Sequence, residues 1–72
     1  MVNMATIKIH KSITTERIML AIREYDMESP GFCIGCGEEA FGVEPDARGY
    51  TCESCEQPLV YGAEELLIMT VA

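Results

Sequence analysis

Cys33-Ile34-Gly35-Cys36 and Cys52-Glu53-Ser54-Cys55 are the segments of this chain best suited to chemistry. Two intervening residues let a tight turn aim both sulfurs of a pair at one point. The fifteen residues from Gly37 to Thr51 are enough for the chain to turn back and set the second pair opposite the first. This is the C-x2-C-x15-C-x2-C spacing of a tetrahedral four-thiolate site, and one zinc ion is its expected occupant. Four thiolates leave no open position for substrate or activated water, so the expected role is structural. Iron in the same sphere and redox-active thiols are the alternatives. Disulfides within each pair would close very small loops and stabilise little. Gly35 and Gly37 suit the first turn, because glycine accepts positive φ and lets backbone N–H groups approach the sulfurs. The second turn carries Glu56 where the first has Gly37, a departure that bears on its geometry.

Other catalytic constellations are weak. His10 is the single histidine and is expected to be an exposed polar residue. Glu38-Glu39 and Glu64-Glu65 are sequence neighbours, as solvated charges usually are, rather than a spaced acid/base pair. The expectation is a protein that is not an enzyme. Arg48 is expected to form a local ion pair with Asp46 or Glu44, or to meet a partner as a lone anchor.

The elements that hold the cysteines must do so with little apolar material. A chain of 72 residues buries only about 60% of the surface its unfolded form exposes. It has no Trp, two Phe and three Tyr, so a staple is needed. The first ten residues lack the continuous apolar segment of a signal peptide, and the run Leu66–Met69 is far shorter than the roughly 18 residues of a membrane span. A cytoplasmic location is expected, and reducing conditions favour metal over disulfides.

The formal charge is −7, and it is unevenly spread. Residues 1–30 balance Lys8, Lys11, Arg17 and Arg23 against Glu16, Glu24, Asp26 and Glu28. Residues 31–72 set Arg48 alone against Glu38, Glu39, Glu44, Asp46, Glu53, Glu56, Glu64 and Glu65. Four thiolates around a divalent ion would add further negative charge. Nucleic-acid affinity comes largely from Lys and Arg displacing counterions, so direct binding through the second half is disfavoured.

Along the chain, Thr6-Ile7-Lys8-Ile9-His10 alternates as a short strand does. Thr14 and Thr15 are good N-caps, with Glu16 in the first turn. Ile18, Ala21, Ile22 and Tyr25 recur at helical spacing, which predicts a helix over about 14–27, ended by Ser29-Pro30-Gly31. Met19 and Leu20 fall off that stripe and are expected to pack within the molecule or to self-associate. The methionines are expected to fill gaps in a small core. Ala40–Val43, Tyr50-Thr51 and Leu59–Tyr61 are short apolar pieces that flank turn residues and the cysteine pairs; Leu59–Tyr61 reads as strand, and 44–49 as the tip of a β-hairpin. Ala63–Leu66 fits one helical turn, and Ile68–Val71 favours a strand able to pair with residues 6–10.

Cys33-Ile34-Gly35-Cys36-Gly37 resembles the C-x-x-C-G knuckle of zinc ribbons and rubredoxin-like proteins. The stretch from Gly31 to Leu67 also resembles small uncharacterised zinc-ribbon proteins of bacteria and phages. It does so through Gly42-Val43-Glu44-Pro45-Asp46-Ala47-Arg48 and, after the second cysteine pair, Val60-Tyr61-Gly62-Ala63-Glu64-Glu65-Leu66. The resemblance implies a zinc-ribbon fold and ligation by these four cysteines, and carries no activity. A looser similarity runs to the DksA/TraR regulators of RNA polymerase, which pair helices with a four-cysteine finger. Their intercysteine gap is longer, a helix follows their finger, and residues 1–12 hold no equivalent of their acidic tip motif.

The expected fold is a small α+β metal-bound domain, a zinc ribbon preceded by one α-helix. Residues 1–30 supply a strand and a helix, and 31–72 the ribbon with a short C-terminal segment, all one folding unit. The expected ligands are Cys33, Cys36, Cys52 and Cys55 around one structural Zn²⁺. The expected function is a protein-interaction or regulatory module acting through the acidic ribbon on an unidentified protein partner. It is expected to be a monomer or weak homodimer that does not engage membranes. A transcription-associated or nucleic-acid-binding ribbon, using Lys8, His10, Lys11, Arg17 and Arg23, is the alternative.

Overall fold

The side-chain oxygen of Thr14 accepts a hydrogen bond from the Arg17 backbone N–H at 3.1 Å and so starts helix α1, Thr15–Tyr25. Glu16 in its first turn and Arg23 in its last both oppose the helix dipole favourably. A single 3-10 turn, Asp26–Glu28, tightens the end. Ser29 then enters the left-handed region, its N–H donating to Asp26 O, and Pro30 prevents the helix from continuing. This computed structural model describes residues 8–71, except the side chain of Val71. Within that span follow β1 (Gly31–Cys33), β2 (Glu39–Ala40), β3 (Val60–Gly62) and α2 (Ala63–Val71).

The strands form one antiparallel sheet in the order β2-β1-β3. Phe32 lies opposite Glu39 on one side and Tyr61 on the other, while Cys33 lies opposite Val60. Tyr50 extends the sheet by one bridge to Val60, with both backbone hydrogen bonds at 2.9 Å. Successive strand residues face opposite sides, and β1 uses this to divide the interior in two. Phe32 joins Ile13, Ile18, Ala21, Ile34, Ala63 and Leu66 in a core between the sheet and the two helices. Cys33 joins Val43, Ala47, Cys52 and Val60 in a second core around the sulfurs, and Leu59 touches both.

Several expectations need correction. The described residues form two α-helices rather than one, because Ile68–Val71 continues α2 instead of forming a strand. Helix propensity differs by only tenths of a kcal/mol for such residues, and the burial of Ala63 and Leu66 against α1 decides the matter. The proposed strand partner, 6–10, has no regular structure at 8–10, and Thr6 and Ile7 lie outside the described residues. Of the predicted α1 stripe, Ile18 and Ala21 are buried, but Tyr25 is exposed and meets Phe41 edge-on at 5.5 Å. Met19 and Leu20 are exposed, and Met27 is 97% exposed, so these residues fill no core gap. Among the described residues, no helix is long and apolar enough to cross a membrane.

Segment 44–49 is not a free hairpin tip. It folds over the β3–α2 junction, where Gly62 N–H donates to Ala47 O and Glu65 N–H donates to Pro45 O, each at 3.0 Å. A Cβ on Gly62 would lie 2.3 Å from the carbonyl oxygens of Glu44 and Pro45, so this close approach requires glycine. Ala63 N–H donates to Pro30 O at 3.0 Å. Backbone carbonyls thus satisfy two of the otherwise orphaned first-turn N–H groups of α2, those of Ala63 and Glu65.

Candidate metal centre

Each cysteine pair sits on a turn with the same backbone wiring. In the first, Cys33 N–H donates to Glu38 O at 2.9 Å and Gly37 N–H to Cys33 O at 2.8 Å. In the second, Cys52 N–H donates to Gln57 O and Glu56 N–H to Cys52 O, both at 2.8 Å. The fifth residue of each turn has positive φ, +84° at Gly37 and +64° at Glu56. Glu56 therefore reproduces the glycine geometry of the first knuckle despite its side chain. β1 delivers Cys33, and the Tyr50–Val60 bridge places Cys52 two residues beyond.

The four Sγ atoms lie within 4.8 Å of one another, a group that can hold a metal ion. The short separations run between knuckles, 3.6 Å for Cys33–Cys55 and 3.7 Å for Cys36–Cys52. A regular tetrahedron with metal–sulfur bonds of about 2.3 Å has edges of about 3.8 Å, so the set matches a four-thiolate sphere. Disulfides need sulfurs about 2.05 Å apart, and all four cysteines are free. Cys33 and Cys52 are buried and Cys36 and Cys55 half-buried.

The surroundings treat the thiols unequally. Backbone N–H groups of Ser54 and Cys55 approach Cys52 Sγ at 3.3 and 3.5 Å. The Cys55 amide leads in lowering the Cys52 thiol to about 7, with desolvation opposing it. At Cys36 the Glu38 amide favours the thiolate, but desolvation and three neighbouring sulfurs outweigh it and push the thiol up to about 12. Cys55 is also raised, its Gln57 amide outweighed by desolvation and neighbouring thiols. Four thiols this close cannot all ionise without a cation between them.

Of the first turn's two glycines only Gly37 has the positive φ expected of both. A Cβ on Gly35 would lie 2.7 Å from Leu59 Cδ1, and one on Gly37 would lie 2.6 Å from Ser12 Oγ and 2.8 Å from His10 Nδ1. His10 is thus half-buried against the first knuckle rather than exposed. Its N–H donates to Ile34 O at 2.8 Å, and its Nδ1 accepts from Ser12 N–H at 3.1 Å. No sequence signal tied His10 to this turn. Arg17 continues the strap, with Nη1 donating to Ser12 Oγ at 3.0 Å and its guanidinium 4.7 Å from the Phe32 ring centre.

Arg48 pairs with neither Asp46 nor Glu44. Its Nε and Nη2 both reach one oxygen of Glu65, at 2.7 and 2.5 Å. The Glu65 side chain is only 10% exposed while that of Arg48 is 72% exposed, so the arginine neutralises a carboxylate held against the core. The two are seventeen positions apart, beyond any local sequence pattern. Glu44 instead accepts from the Tyr50 hydroxyl. Of the neighbouring acids expected to be solvated, Glu38 and Glu64 are exposed and Glu39 is half-buried, but Glu65 is buried and committed to Arg48.

No protein-family model, curated protein or solved structure matches this chain.

Proposed function

We propose that the chain is a small zinc-stapled interaction module that binds a protein partner through the acidic face of residues 31–72, without catalysis of its own. One observation carries this. Arg48 is the sole basic residue of that half, and it is consumed by Glu65. The remaining acids, with four thiolates around a divalent ion, give a surface of one sign. Such a surface repels phosphate backbones and sets encounter rate and specificity with a basic partner. Zinc is the metal best suited to the set, because a closed sphere of four thiolates at tetrahedral spacing matches its structural sites. Ligation by these four cysteines agrees with the resemblance to small bacterial and phage zinc ribbons, which carries no activity with it.

A second reading, a DksA/TraR-like regulator of RNA polymerase, gains one observation: a helix, α2, does follow the second cysteine pair, after β3. Against a nucleic-acid-binding role, part of the basic side of residues 1–30 is engaged internally. Arg17 lies over Phe32 and bonds Ser12, and Arg23 pairs with Glu24 at 3.6 Å.

The test immobilises the metal-loaded chain, exposes it to extract of the native host and identifies retained proteins, alongside a salt titration on nonspecific duplex DNA. The expected result is a partner whose retention falls with salt and on replacement of acids in 31–72, with no DNA binding. DNA binding that weakens steeply with salt contradicts the proposal.

A further inference from the structure

We infer that the acidic face has a defined receptor, a cleft between β2 and the Tyr50–Ser54 segment that takes an arginine-bearing stretch of the partner. This rests on the proposed protein-binding role and gives it a place and a chemistry. The cleft holds about 470 Å³, within the roughly 300–1,000 Å³ range of ligand-binding clefts. Glu38, Glu39 and Glu53 line it, no Lys, Arg or His does, and Cys52 of the metal cluster is part of its wall. Among the described residues, no cation pairs with those three carboxylates. Like charges around a concave surface focus their field there, and a cationic occupant lowers their repulsion.

Charge alone would not define a site; the aromatic walls do. Phe41 and Tyr50 line the cleft while remaining 49% and 40% exposed. Each ring is held before anything binds. Phe41 packs edge-on against Tyr25, and Tyr50 is fixed by its backbone bridge to Val60 and by its hydroxyl bond to Glu44. Pre-set rings lower the ordering cost of binding. A planar guanidinium can stack on such a ring while its N–H groups meet carboxylates, which an ammonium does less well. The molecule already makes this stacking contact internally, at Arg17 over Phe32. The occupant is therefore an arginine-containing peptide segment.

The experiment titrates the full, zinc-loaded chain with the peptide acetyl-Gly-Arg-Gly-Arg-Gly-amide and with its lysine counterpart, following backbone amide shifts by NMR. Saturable shifts are expected at 38–43 and 50–54, with the lysine peptide weaker. Glu53→Gln should weaken binding about threefold and Phe41→Ala about fivefold, while Glu64→Gln, on α2 outside the cleft, leaves it unchanged. Retained zinc and unchanged dispersion in Glu53→Gln keep the test independent of folding. Shifts spread over other acidic positions, or equal loss from Glu64→Gln and Glu53→Gln, overturn the cleft and leave the acidic-face role standing. Absence of saturable binding at millimolar peptide overturns the cleft as well, whereas the acidic-face role fails separately, in the DNA titration.

Discussion

Gly37 and Glu56 occupy the same position in two knuckles and both adopt positive φ, yet among the described residues Gly37 is buried beneath His10 and Ser12 while Glu56 is exposed. His10 and Ser12 sit where a Cβ on Gly37 would go. An L-residue in this region costs roughly 1–2 kcal/mol, so Glu56 carries that strain and Gly37 avoids it. Gly37→Ala is expected to cost about 2 kcal/mol or more, combining strain with the clash. Glu56→Gly should lie within about 1 kcal/mol of wild type, since relieved strain is offset by a more flexible unfolded chain. Denaturant midpoints of the metal-loaded variants decide it; equal losses at the two positions contradict the asymmetry.

Arg48 and Glu65 make a different kind of link, tying the 44–49 segment to the start of α2. Removing the arginine leaves a nearly buried carboxylate without its cation. Arg48→Ala is expected to cost about 1–2 kcal/mol, less than a fully buried pair because the arginine is largely solvated. The double variant Arg48→Ala/Glu65→Leu should recover part of that loss, because no charge then remains at the buried position. A single variant as stable as wild type in denaturant unfolding would show that the pair contributes nothing.

Much of this architecture is legible in the residues, and the gaps have common physical causes. The cysteine spacing, the Thr14 cap, the Ile18–Ala21 face and the Ser29-Pro30 stop are local signals, and the structure places each accordingly. The end of α2 is not local. Ile68-Met69-Thr70-Val71 has strand-like composition, and packing on α1 overrides it. The docking of 44–49 on Gly62 and the partner of Arg48 depend on residues far apart in sequence. Glu56 shows the converse, since wiring shared with the first knuckle imposes a conformation that its residue type disfavours.

Tyr50 offers a reporter for the loop beside the cleft. Its hydrogen bond to Glu44 leads in raising the phenol above the ordinary value of 10.0, helped by desolvation and by the charges of Glu44 and Asp46. A raised folded-state value means the contribution is complete below pH 10 and is lost as pH climbs through the folded value. Phenolate absorbance of wild type minus that of Tyr50→Phe should give a midpoint above 10.0, moving down in Glu44→Gln. A midpoint at or below the ordinary value would mean the hydroxyl does not bond Glu44 in solution.

Loss of any one sulfur should be severe. Structural zinc sites contribute about 10–16 kcal/mol in small peptides, far more than a core of this size can replace. Cys33→Ser and Cys55→Ser are each expected to lose the cooperative unfolding transition and NMR dispersion at neutral pH. A fully folded, metal-free Cys55→Ser protein would be inconsistent with a four-sulfur centre.

Elemental analysis of the purified chain before and after strong chelator, with near-UV circular dichroism on the same samples, tests the central claim most directly. The expected result is one zinc per chain and collapse of the native spectrum when it is withdrawn, with recovery on adding zinc back. A native spectrum that persists without metal, or a purified protein with no near-stoichiometric zinc, would contradict it.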